Sequence, residues 1–145
     1  MRLFAATTIA TIALLSAPAF ADGHATGDAD AGKKAFNKCK ACHMIEDADG
    51  NKIVKGGRTG PNLYGLYNRV AGSTDFKYGD SIIAAGEGGL IWNEEAFTKF
   101  VADPKAFLAE VTGDNRAKSK MSFKVRKEKE ATDVWAYLVS VGPDS

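Results

Sequence analysis

The sequence predicts an all-α domain made of several short helices and long loops. Three observations carry this. Apolar residues recur at helical spacing in segments that also hold helix start and stop signals. Alternating β-branched runs are few. Clusters of Gly, Pro, Asn and Asp interrupt the chain throughout, marking turns.

The chain has 145 residues, enough for one domain, and its start reads as a separate segment. Met1-Arg2 is a short positive region, and Leu3 to Leu15 is an apolar run broken only by Ala and Thr. Ala19-Phe20-Ala21 is an A-x-A cleavage signal before the polar Asp22. The run is shorter than the roughly 20 apolar residues that span a bilayer, so stable membrane insertion is not expected and an uncleaved anchor is the lesser alternative. The expectation is a removed signal peptide over 1–21, a mature domain over 22–145, and export to the periplasm.

The elements follow in order. Ala25 to Asp30 reads as a loose arm, and a helix runs from Asp28 or Asp30 to Lys40, with Gly32, Ala35, Phe36 and Cys39 on one face. Asp47 to Gly57 is loop, with a turn at Asp49-Gly50-Asn51. Tyr78 to Ala85 forms a short helix ending near Gly86. Asn93 caps the next, whose buried stripe is Phe97, Phe100 and Val101 and which Pro104 ends. Pro104 opens another short helix to about Glu110, inside an otherwise irregular and basic stretch from Lys105 to Val125. The last helix covers Glu128 to Val141, with Val134, Leu138 and Val141 on one stripe, and stops at Gly142-Pro143.

Charge narrows the function classes. Lys and Arg number 19 against 18 Asp and Glu, and loss of Arg2 with the leader makes the two equal. Such a balance argues against nucleic-acid binding. Gly27 to Lys34 reads G-x-x-x-x-G-K-K, but Lys34 stands where a P-loop needs Ser or Thr and no strand precedes it. Asp47-Ala48-Asp49-Gly50 resembles part of a calcium loop, with Gly and the closing Glu misplaced.

Cys39-Lys40-Ala41-Cys42-His43 is the one stretch that names a chemistry. C-x-x-C-H is the attachment pattern of a c-type haem: two thiols on one helical turn add to the vinyl groups of one porphyrin, and the following His ligates the iron. Zinc would need a distant second ligand pair, and a thioredoxin-like dithiol would need a βαβ context. A buried porphyrin would also supply the apolar centre around which long loops could order.

Iron that only exchanges electrons needs a second axial ligand, and a thioether suits it. Met1 leaves with the leader, and Met44 adjoins His43 and cannot easily reach the opposite haem face. Met121 remains, in the polar loop Lys118-Ser119-Lys120-Met121-Ser122-Phe123. Its alternative is gap-filling packing. His24, the other histidine, is expected to be solvated in the arm.

These pieces resemble a class I cytochrome c, in particular the bacterial photosynthetic and respiratory electron-carrier branch. The landmarks are Phe36 to His43, Thr59-Gly60-Pro61-Asn62-Leu63-Tyr64-Gly65-Leu66, Trp92, Asp103-Pro104-Lys105, Lys120-Met121 and Trp135-Ala136-Tyr137-Leu138. The resemblance implies the cytochrome c fold wrapped around one covalently bound haem c per chain, with Cys39 and Cys42 as attachment points and His43 and Met121 as iron ligands. It implies that the Pro61 carbonyl accepts the Nδ1 proton of His43, that Arg69, Tyr78 and Trp92 surround the inner propionate, and that Ser119 lies near the second. Gly32 and Phe36 would meet Val134 and Tyr137 where the first and last helices cross.

The implied function is a periplasmic electron carrier, not an enzyme. It would shuttle single electrons from a cytochrome bc1-type donor to a photosynthetic reaction centre, oxidase or reductase. Lys38, Lys40, Lys55, Lys105, Lys118, Lys120 and Lys124 would steer a monomer into transient docking with acidic surfaces of membrane redox complexes. Three positions depart from the family pattern. Phe100 replaces a tyrosine that binds the methionine sulfur, Ala71 replaces a hydroxyl residue near a propionate, and Asn68 replaces a glycine before Arg69.

Overall fold

The computed structural model describes residues 24–143; the leader expected over 1–21 lies outside them. The element order is α1 (Ala29–Ala35), a 3-10 turn (Phe36–Lys38), β1 (Ile45–Glu46), β2 (Lys52–Val54), α2 (Asp80–Glu87), α3 (Glu94–Ala102), α4 (Pro104–Thr112) and α5 (Glu128–Ser140). No described helix is long and apolar enough to cross a membrane.

The caps explain the helix starts. Asp28 accepts from the backbone N–H groups of Asp30 and Ala31, Asn93 from Ala96, and Asp103 from Ala106. Each satisfies donors that the first helical turn leaves free. Pro104 occupies the first turn of α4, where its missing N–H costs nothing, and Gly113 closes that helix at φ 68°.

Two expectations are corrected. The regular part of the first helix ends at Ala35 and tightens into the 3-10 turn, which brings Cys39 and Cys42 round onto a succession of turns. The segment expected as loop over Asp47–Gly57 includes β2, which pairs antiparallel with β1 just before it, Ile45 opposite Val54. Asp47 closes its turn by accepting from the Asp49 and Asn51 amides. Three residues of Lys52–Val54 are too short a run for alternation to reveal.

The core sits where α1 and the 3-10 turn cross α5. A Cβ on Gly32 would lie 1.8 Å from the Asp133 carbonyl oxygen and 2.9 Å from Tyr137 Cβ, so only glycine permits this approach. Phe36 and Tyr137 meet with ring centroids 5.7 Å apart. Buried Asp133 ties the crossing together, accepting from the Asp28 N–H at 2.9 Å and from Lys129 Nζ at 2.8 Å. Those donors hold its carboxyl below the usual carboxylate range.

The amino-terminal arm is better anchored than its composition suggests. Trp135, fully buried, donates from Nε1 to the His24 carbonyl at 2.7 Å. The His24 ring lies 4.3 Å from that of Tyr67, with Nδ1 2.6 Å from the Tyr67 hydroxyl. His24 is exposed, as expected, but it is not free.

Candidate functional site

One deep cavity of about 260 Å³ opens between the cysteine motif and the Met121 loop. Cys39, Cys42, His43, Pro61, Arg69, Tyr78, Trp92, Ser119 and Met121 all line it. The sequence thus nominated nine residues from six separate segments, and the fold brings all nine to one cavity. Met44 is absent from that lining and is buried elsewhere, with its carbonyl bound by the Leu63 N–H.

The His43 side is built by short-range turns. Both the Cys42 and His43 amides donate to the Cys39 carbonyl, which winds the motif tightly. His43 Nδ1 lies 2.8 Å from the Pro61 carbonyl, leaving Nε2 as the ring's other nitrogen. Asn62 fixes that carbonyl's segment by exchanging bonds with both backbone groups of Glu46. A Cβ on Gly60 would fall 2.4 Å from the His43 ring, so the loop presses directly on the imidazole. Burial draws His43 below its ordinary value, against the opposing Pro61 contact, and so favours the neutral form that ligates a metal. Burial likewise pushes the Cys39 thiol up to about 11. A thiol held protonated is a poor redox nucleophile.

Met121 is held by a strapped loop. The Lys118 N–H donates to Ser81 Oγ, Lys120 Nζ donates to the Lys77 and Tyr78 carbonyls, and the Val125 N–H donates to the Val101 carbonyl on α3. Ser119 turns its hydroxyl onto the Met121 backbone. The hydroxyl is therefore engaged within the loop.

Arg69 and Trp92 share a wall because their segments pair. The Trp92 N–H donates to the Arg69 carbonyl and the Asn68 N–H to the Trp92 carbonyl, both at 2.9 Å. Asn68 sits at φ 58°, a left-handed conformation that Asn tolerates and glycine adopts freely, which accounts for the substitution seen in sequence. The half-buried Arg69 donates to the Tyr64 and Asn62 carbonyls, and burial draws its guanidinium below its ordinary value. No described carboxylate pairs with it. Tyr78 spends its hydroxyl on Thr74 Oγ1 at 2.6 Å. Thr74, Asn62 and Ser81 were not foreseen; their roles depend on contacts that only the fold creates.

Phe100 lines the cavity floor, 5.1 Å from Trp92 and 6.0 Å from Phe107 between ring centroids. The arrangement fits a haem. It offers an apolar slot, two adjacent thiols, an imidazole, a thioether, and a buried cation that no carboxylate of the described residues balances. A propionate would complete that last pair.

Of the seven lysines nominated for docking, three are engaged. Lys38 pairs with Glu130 at 2.7 Å, Lys124 with Asp103 at 2.6 Å, and Lys120 with two carbonyls. Lys40, Lys55, Lys105 and Lys118 remain exposed.

Comparison with known proteins agrees with this geometry. The family model described as Cytochrome c matches residues 29–142. Cytochrome c2 of Rhodobacter capsulatus is 53% identical over 137 residues, covering 92% of this chain and 95% of the relative. Cytochrome c-550 of Paracoccus versutus is 46% identical over 148 residues, covering 100% and 92%. Among solved structures, cytochrome c2 from Rhodobacter sphaeroides superposes with a TM-score of 0.79 at 51% identity, covering 81% of this chain and 98% of that one.

Proposed function

The chain belongs to the cytochrome c family, and from that premise we propose that it is a soluble electron carrier, not an enzyme. It moves single electrons from a cytochrome bc1-type donor to a photosynthetic reaction centre, oxidase or reductase. The observation that carries this reading is that an imidazole anchored by the Pro61 carbonyl and a strapped thioether line the same apolar cavity.

The bound group is one covalently attached c-type haem, whose iron supplies one-electron redox chemistry. Cys39 and Cys42 hold it through thioethers. His43 would ligate the iron through its free ring nitrogen, with the Pro61 carbonyl orienting the ring from Nδ1 and raising its basicity. Met121 would supply a thioether as the second protein ligand, which suits electron exchange over the binding of small molecules. Arg69 and Trp92 would balance and bind the inner propionate, Tyr78 closes the wall beside them, and Ser119 would serve the second propionate's side by holding the Met121 loop.

Lys118 at the cavity, with the partly engaged Lys38 and Lys120 beside it, draws acidic surfaces of membrane complexes toward the cavity mouth, supported by the exposed Lys40, Lys55 and Lys105 and by Lys124. Docking by exposed charges is fast and salt-sensitive, as turnover requires. The working form is a periplasmic monomer of residues 22–145, after removal of 1–21.

Carbon monoxide and imidazole titrations of the purified holoprotein test the reading. The expected result is slow, weak binding at neutral pH with a sulfur-to-iron absorption band present. Rapid binding without that band would replace the carrier by a haem enzyme or gas sensor.

A further inference from the structure

The chain has four tyrosines, and among the described contacts Tyr67 alone shares its hydroxyl with a base. Its oxygen lies 2.6 Å from His24 Nδ1, whereas the Tyr78 hydroxyl meets only the hydroxyl of Thr74. We propose that Tyr67 is a redox-active tyrosine: it gives one electron to small oxidising radicals from solvent, and His24 accepts its proton.

An oxidised phenol is a very strong acid, so a tyrosine yields an electron easily only where its proton can leave in the same event. With the imidazole proton on Nε2, the Tyr67 hydroxyl donates to Nδ1 along the line of that transfer. The radical takes the electron and becomes a closed-shell anion. The Tyr67 O–H bond breaks, an Nδ1–H bond forms on His24, and a neutral phenoxyl is left beside an imidazolium. Return of one electron reverses both transfers and restores the pair.

The fold holds the base in place and keeps the oxidation at Tyr67. Buried Trp135 ties down the His24 backbone by donating from Nε1 to its carbonyl, while the His24 and Tyr67 rings lie 4.3 Å apart. Glu94, Glu95 and Glu128 share a hollow with His24 and favour the imidazolium once it forms. Glu94 is also bound by Thr26 and Glu95 by Lys99, which leaves Glu128 the least engaged of the three. Tyr67 is half-buried and His24 exposed, so a small radical reaches the pair while the phenoxyl is partly shielded. The neighbouring aromatic ring is Trp135, edge-on at 6.3 Å. Its indole N–H faces a carbonyl, which accepts a hydrogen bond but not a proton, so oxidation does not pass inward.

The test uses the ferric holoprotein, so that ferrous iron does not supply the electron. Azidyl radicals made by pulse radiolysis are the oxidant. Freeze-quenched electron paramagnetic resonance reads the tyrosyl radical, and a nitroso spin trap followed by peptide mass spectrometry locates it. The expected result is a signal and a trap adduct on Tyr67, both lost in Tyr67→Phe. Formation should slow in D2O, and should slow about a hundred-fold in His24→Asn, which keeps an acceptor but has no base. Neither residue lines the large cavity, so both variants should keep the haem spectrum of the unaltered protein. A tyrosyl signal of equal strength in Tyr67→Phe overturns the site. Formation at the unaltered rate in His24→Asn, or equally fast in water and D2O, overturns His24 as the proton acceptor.

Discussion

Ser119 grips Met121 through its own peptide: its hydroxyl accepts from the Met121 N–H at 3.1 Å and donates to the Met121 carbonyl at 3.0 Å. The thioether is thus presented by a locked turn. Sulfur is a weak ligand for iron beside imidazole, so the stiffness of its loop decides how readily an outside ligand displaces it.

Ser119→Ala should therefore loosen the Met121 side without touching the cavity's apolar walls. Loss of hydrogen bonding worth about 1 kcal/mol should raise imidazole affinity by about five-fold. Spectral titration of the ferric protein reads this directly. Affinity equal to the unaltered protein would mean that the outer straps, Lys118 to Ser81 and Val125 to Val101, hold the loop unaided.

Gly32→Ala tests the helix crossing. The added methyl would lie 1.8 Å from the Asp133 carbonyl, and backbone cannot yield as a side-chain tip can. Overpacking of this kind costs about 3 kcal/mol or more. Denaturant unfolding of the holoprotein should show a lower midpoint with the slope unchanged. A midpoint within error of the unaltered protein would contradict the close approach of α1 and α5.

What the sequence disclosed depended on how local each signal was. Asn93 and Pro104 announce helix starts because such signals act within the first turn, and both act as expected, while Asp103, the N-cap of α4, was not singled out as one. The cysteine motif and Met121 were legible because haem chemistry restricts which side chains can serve. The β1–β2 hairpin was missed because two- and three-residue strands carry no periodicity. His24 was expected to be solvated because nothing near it in sequence tells of Tyr67 and Trp135, 43 and 111 residues away. Tyr78 lines the cavity as the resemblance implies, and its hydroxyl also meets Thr74, four residues back, a contact that no local signal foretold.

Acid stability should report on Asp133. Its folded-state acidity is raised by the Asp28 N–H and by Lys129, so its pKa is depressed below the ordinary 3.8. A depressed carboxylate adds stability that is fully present above the unfolded value and is lost as pH falls through the folded one. Asp133→Asn keeps an acceptor for Asp28 but cannot pair with Lys129. The variant should be less stable at neutral pH, and the difference should shrink below about pH 4 as the native carboxylate protonates. Thermal midpoints across that range read the effect; a difference independent of pH would assign it to packing.

Arg69 offers the last test, because its charge and its hydrogen bonds can be separated. The guanidinium is half-buried, bound to the Tyr64 and Asn62 carbonyls, and unpaired with any described carboxylate. A positive charge beside the haem disfavours the ferric state, which carries one more positive charge than the ferrous. Arg69→Gln keeps donors but removes the charge, so the midpoint potential should fall. If the charge is worth about 1 kcal/mol at this depth, the drop is roughly 40 mV for a one-electron couple. Arg69→Lys restores the charge without the two-pronged geometry and should recover most of the potential while losing some stability. Equal potentials in the native protein and Arg69→Gln would show that Arg69 shapes the loop and does not balance a propionate.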